Sequence, residues 1–156
     1  MIKIQIICLG KFKEEALKDI EKEYIKRLSP FAKVKITELS EIGYRKNDNR
    51  EIIKEKESST IKKYIPAGSI VILLEEKGTL RNSKDFAHFI ERISNLGQEI
   101  VFVIGSGIGL HDSLKDISNY SISLSLLTFP HNYARILLEE QIYRSWTINS
   151  GKEYHK

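Results

Sequence analysis

The sequence contains one cysteine and three prolines in 156 residues, and no apolar run approaches the roughly 18 residues a membrane-spanning helix requires. The lone Cys8 excludes an internal disulfide and leaves no basis for a cysteine-built metal site, so no metal is expected. It suits a reducing, cytoplasmic setting. The apolar residues at the start (Ile4, Ile6, Ile7, Leu9) are interrupted by Lys3 and Gln5, which reads as a strand and not as a secretory signal. Internal repeats, low-complexity stretches and linkers are also lacking. One domain spanning residues 1–156 is therefore expected.

What is present is enough for a single core. Hydrophobic residues make up 41% of the chain, too few for two independent cores at this length. Charged residues make up 29%, balanced against enough apolar material to argue against a disordered chain. The net charge is +4, unevenly placed: residues 1–68 hold 16 Lys/Arg and 11 Asp/Glu, the remainder 9 and 10. A basic half can attract phosphate backbones by releasing counterions. A set of solvated lysine-rich helices gives the same count, so charge permits a nucleic-acid partner without requiring one.

Periodicity divides the chain into alternating elements. Residues 2–9 and 33–39 read as strands, as do the continuous β-branched runs 69–74 and 99–104 and the alternating 121–126. Between them lie helical patterns. The first carries Leu17, Ile20, Tyr24 and Leu28 and stops at Pro30; the second spans about 50–64 with Ile52, Ile53, Ile61 and Tyr64. The third starts at Ser83 with Phe86, Phe89, Ile90 and Ile93. The last covers 131–146, with Trp146 read as core. Strands buried on both faces point to a parallel sheet with helices above and below, an α/β fold.

Chemistry has three places to sit. Gly105-Ser106-Gly107-Ile108-Gly109 directly follows the 99–104 strand, where glycines let the backbone turn and approach a ligand. Its spacing is neither a dinucleotide fingerprint nor a Walker loop, and a plain strand-to-helix turn would look the same. The run from Leu124 through Thr128-Phe129-Pro130-His131 ends a strand and starts a helix. In open α/β sheets ligands gather at such strand ends, and Leu74 ends a third. His131 is either a functional group there or a residue satisfying helix-start amides. The tail, with Tyr154 and His155, either frays or supplies stacking and a titratable group. Arg135 and Arg144 either contact phosphate or pair with Glu139 and Glu140.

Together these pieces resemble the ribosomal RNA large subunit methyltransferase H family of the SPOUT class. The resemblance covers the whole chain: Gly10-Lys11-Phe12-Lys13, Glu23 to Leu28, Leu74 to Gly78, Asn82-Ser83, Val103-Ile104-Gly105, Thr128-Phe129-Pro130-His131, Glu140-Gln141-Ile142-Tyr143-Arg144 and Tyr154-His155-Lys156. It implies a SPOUT fold with a C-terminal trefoil knot, an exception to the rule against threaded connections. It also implies an S-adenosylmethionine-dependent homodimer that methylates N3 of a pseudouridine in 23S rRNA on the ribosome.

By the family pattern, cofactor contacts fall on Leu74, Gly105, Leu124, Ser125, Leu126, Leu127, Thr128 and Phe129. His131, Arg135, Arg144, Tyr154 and His155 fall on the catalytic, RNA-facing side. His155 is the first candidate for general base, and Arg135 or Arg144 for stabilising the developing anion. Three positions depart from the pattern. Ser106 replaces the second glycine of a pair, Ser150 stands where arginine is common, and Asn132 where glutamine is frequent. Ser106 would crowd the cofactor if its position needed a positive φ. Ser106 and Ser150 therefore favour an alternative, a non-catalytic RNA-binding paralogue.

Overall fold

The computed structural model describes residues 1–154. Five strands, β1 (Ile2–Leu9), β2 (Ala32–Leu39), β3 (Ile70–Leu80), β4 (Ile100–Ile104) and β5 (Tyr120–Ser123), alternate with four helices, α1 (Glu15–Leu28), α2 (Arg50–Lys62), α3 (Ser83–Ser94) and α4 (His131–Asn149). The strands form one sheet in the order β2-β1-β4-β3-β5, and every pairing is parallel. Parallel neighbours need crossovers, which the helices supply.

Alternation along the strands sorts side chains onto two faces. Ile4, Ile6, Ile72, Ile100 and Phe102 join Phe86, Phe89, Ile90 and Ile93 of α3, Leu28 of α1 and Leu138 and Ile142 of α4 on one face. Ile7, Leu9, Val71, Leu73, Val101 and Val103 pack with Ile61 of α2 and Leu114 on the other. β4 is buried at all five positions, as its unbroken apolar run requires. Trp146 is half-buried against the first core and stacks on Phe31, with ring centroids 5.8 Å apart. No helix among the described residues is long and apolar enough to cross a membrane.

Several boundaries differ from the sequence reading. The strand expected over 121–126 ends at Ser123, because beyond it the chain leaves β3 and bonds to itself. The strand expected to end at Leu74 resumes and runs to Leu80. Leu74 and Thr79 both oppose Ile122, so residues 75–78 bulge out of the ladder. Gly78 is where the two chains touch: a Cβ there would lie 2.4 Å from the Ile122 carbonyl carbon. A 3₁₀ turn over Asp112–Ile117, for which the sequence carried no periodic signal, buries Leu114. Ile20, Ile52 and Tyr64, expected on buried stripes, are exposed, since the short helices α1 and α2 each present only a narrow face to the sheet.

The order of strands also says where a ligand belongs. From β1 the chain moves outward to β2, whereas from β4 it moves the other way, past β3 to β5. Adjacent strands whose connections diverge leave a crevice at their carboxyl ends.

Candidate active site

A cleft of about 900 Å³ lies beside that switch point, at the carboxyl ends of β4, β3 and β5. Its walls are three loops: Leu74–Lys77 from the β3 bulge, Ile104–Leu110 after β4, and Ser123–His131 between β5 and α4. Of the eight expected cofactor positions, Leu74, Gly105, Leu124, Ser125, Leu127, Thr128 and Phe129 line it. Leu126 does not; it is 86% exposed and points to solvent. Among the described residues no group of three His, Cys, Asp or Glu side chains is placed to hold a metal ion.

The glycine loop is a tight turn closed by the Gly109 amide donating to the Ser106 carbonyl at 2.9 Å. Gly109 has φ +85°, a conformation glycine adopts without penalty. A Cβ on Gly105 would meet the Gly109 carbonyl carbon at 2.9 Å. Ser106 does not need a glycine's freedom, because it is not among the positive-φ residues, which among the described residues are all glycines. Its hydroxyl turns to Glu57 of α2 at 2.9 Å. The expected crowding is thus corrected: the hydroxyl is engaged beneath the loop. The paralogue reading loses its first support.

The opposite loop is looser. The Ser123 hydroxyl donates to the Ser125 carbonyl at 2.9 Å and the Leu127 amide to the Ser125 hydroxyl at 3.0 Å. Pro130 then sets the entry to α4, and His131 opens that helix on the cleft rim. His131 Nε2 lies 2.7 Å from Glu41 Oε1, a residue the sequence reading passed over. Gly10, with φ +86°, sits under this pair; a Cβ there would approach Glu41 Oε1 to 2.8 Å and His131 Nε2 to 3.2 Å.

One turn further along α4 the environment changes. Arg135, expected on the RNA-facing side, is 2% exposed. Its Nε and Nη1 donate to Glu21 at 2.7 Å and Glu38 at 2.8 Å, and its guanidinium covers the Phe12 ring at 4.2 Å. This corrects the expectation: the chain holds the guanidinium inside, where it ties α4 to α1 and β2. Glu139, fully buried, stands 3.7 Å from Arg135 Nε. Burial, and then the neighbouring Glu21 carboxylate, push its pKa up to about 9, which favours the neutral acid. The same burial raises the Cys8 thiol to about 12, which makes it inert.

The far end of α4 holds the tail. Gly151, φ +66°, donates to the Ile148 carbonyl and Lys152 to the Thr147 carbonyl, a Schellman cap that reverses the chain. Ser150 only caps, donating its amide to Trp146 at 3.0 Å. Tyr154 thereby returns to α4, packing edge-on against Tyr143 and donating to Glu140 at 3.2 Å. Burial first, and Glu140 second, raise its pKa to about 12. Arg144 donates to Glu140 at 2.6 Å and lies over the Tyr154 ring at 4.8 Å. Neither Tyr154 nor Arg144 lines the cleft. His155 lies outside the described residues.

Glu57 had a signal that the reading missed. It sits midway between Ile53 and Ile61 at four-residue steps, in the buried stripe of α2, where a solvated glutamate would not be placed.

A parallel α/β sheet with its cleft at the strand ends, walled by backbone loops and faced by a helix N-terminus, defines a small-ligand-binding protein of the open-sheet class. The family model described as "Predicted SPOUT methyltransferase" matches residues 2–155. Proteins named ribosomal RNA large subunit methyltransferase H are similar along nearly their whole length. That of Caldicellulosiruptor saccharolyticus is 44% identical over 98% of this chain and 99% of its own. That of Desulforamulus reducens is 41% identical over 100% of both. That of Clostridium botulinum strain Okra is 41% identical over 98% and 99%. The chain belongs to the SPOUT methyltransferases and, within them, to the large subunit methyltransferase H family.

Proposed function

We propose that this protein is an S-adenosylmethionine-dependent methyltransferase that modifies N3 of a pseudouridine in large-subunit ribosomal RNA, working as a cytoplasmic homodimer. The carrying observation is the cleft, in which seven of the eight expected cofactor positions meet at three strand-end loops. The donor suits this lining. Leu74, Ile104, Leu124 and Leu127 offer apolar surface for a purine, and loop backbone groups can bond its edge. When bound, it supplies an electrophilic methyl group on a good leaving group.

The protein's own task is then to position the acceptor nitrogen in line and remove its proton. His131, held by Glu41 on the rim, faces the acceptor side. Arg144, Tyr154 and His155 are assigned to a composite site completed by a second copy, since the first two stand away from the cleft of their own subunit. The exposed Leu126, Leu127, Tyr133 and Leu137 supply apolar surface for that copy. His155 is proposed as the base; His155→Ala should lower the rate roughly 10²–10⁴-fold. A trefoil knot is part of this reading, and the close passage of Ile122 over Gly78 is compatible with threading there.

The test is methyl transfer from labelled S-adenosylmethionine to large ribosomal subunits, followed by mass mapping of the rRNA. A label on one pseudouridine is expected, with assembled subunits modified faster than naked rRNA fragments. No label on either substrate sinks the proposal.

A further inference from the structure

One buried carboxylate bonds both the glycine loop on one wall of the cleft and the segment next to Glu41, which pairs with His131 on the rim. Glu57 is 2% exposed. Its Oε2 accepts from the Ser106 hydroxyl in the glycine loop at 2.9 Å, and its Oε1 from the backbone amide of Ile42 at 3.0 Å. Ile42 follows Glu41, whose carboxylate holds His131. Among the described residues no Lys, Arg or His nitrogen pairs with Glu57, although eleven such ion pairs form elsewhere. Burying a carboxylate without a cation is unfavourable, and isoleucine would suit the register set by Ile53 and Ile61. Charge-assisted bonds from two separate loops offset that cost and fix where those loops stand.

We propose that Glu57 is a positioning residue. It clamps the glycine loop to the segment carrying Glu41, and so sets the methyl-donor side of the cleft relative to His131. Gly10 leaves the space into which the Glu41–His131 pair fits. His131 Nε2 stands 2.7 Å from Glu41 Oε1, so the position of Glu41 sets where the ring stands on the rim. The inference rests on the cleft binding S-adenosylmethionine.

The test uses the full chain with Ser106→Ala, Ser106→Thr and Glu57→Gln. Two readouts are needed: the KM for S-adenosylmethionine, and the imidazole ¹⁵N resonances of His131 recorded without donor and assigned by their loss in His131→Gln. Ser106→Ala should raise the KM about tenfold, the effect of one lost charge-assisted bond. It should also shift the His131 resonances, although its hydroxyl bonds Glu57 and not the ring. Threonine should restore both. Either readout unmoved in Ser106→Ala, or no rescue by threonine, overturns the clamp. Should Ser106→Ala fail to fold, Glu57→Gln carries the same two readouts, because it keeps the volume and removes the charge. A wild-type protein that binds no donor in calorimetry fails the functional reading instead, while the His131 resonances still decide the clamp.

Discussion

Arg135 and Arg144 lie on the same helix, each with a glutamate four residues away, and they meet opposite surroundings. Arg135 points between α4, α1 and β2 and is enclosed by Glu21, Glu38 and Glu139. Arg144 stays near the surface, shared between Glu140 and the Tyr154 ring. Desolvation makes the first cluster costly to break, because the guanidinium is itself buried and its removal leaves the partly buried Glu21 carboxylate without its cation. The second remains partly hydrated, so its bonds can be exchanged cheaply for contacts with another molecule. Identical local patterns thus yield a structural tie in one place and an adaptable group in the other.

The strongest way to break this contrast is Arg135→Met. It should cost about 3–5 kcal/mol in urea unfolding at pH 7, and replacing Glu21 and Glu139 by leucine in the same chain should recover most of the loss. Continued full stability of the single variant would show that the cluster is not a tie. Glu139→Gln comes next. Its folded pKa lies above its unfolded one, so the native state holds the extra proton. Glu139 therefore destabilises progressively as pH rises from about 4.5 toward about 9. Glutamine should remove that decline, so its gain over the wild type should be small at pH 4 and grow steadily toward pH 8. Parallel Tm–pH curves for the two proteins would refute the assignment.

For the outer cluster, Arg144→Ala should cost only about 1 kcal/mol of stability, yet lower methyl transfer by roughly 10²-fold if it stabilises the developing anion. Equal small effects on both would make it merely a surface pair. The smallest effect belongs to Lys18→Ala, which removes an exposed bond to Glu15. No measurable loss in urea unfolding is expected, and a clear loss would undermine the use of burial to rank these pairs.

Much of the architecture was readable in advance because it rests on local periodicity. The run Val101-Phe102-Val103-Ile104 could only be a strand covered on both sides, and Phe86, Phe89, Ile90 and Ile93 could only line one helix face. The glycine loop and the Thr128–His131 helix start were likewise visible. What escaped was set by contacts between elements far apart in sequence. Glu41 and Glu21 resemble any other glutamate in a charged stretch, and only their neighbours distinguish them. Leu126 follows the same alternation as Leu124, yet the chain leaves β5 after Ser123 and that alternation no longer decides its direction.

By itself the sequence determined the kinds of element, their order, and which loops would stand at strand ends, because those follow from side-chain period and backbone chemistry over a few residues. Tertiary structure alone decided which charges are buried. The Arg135 guanidinium became part of the interior and Arg144 did not, since desolvation depends on what packs overhead and no spacing along the chain records that.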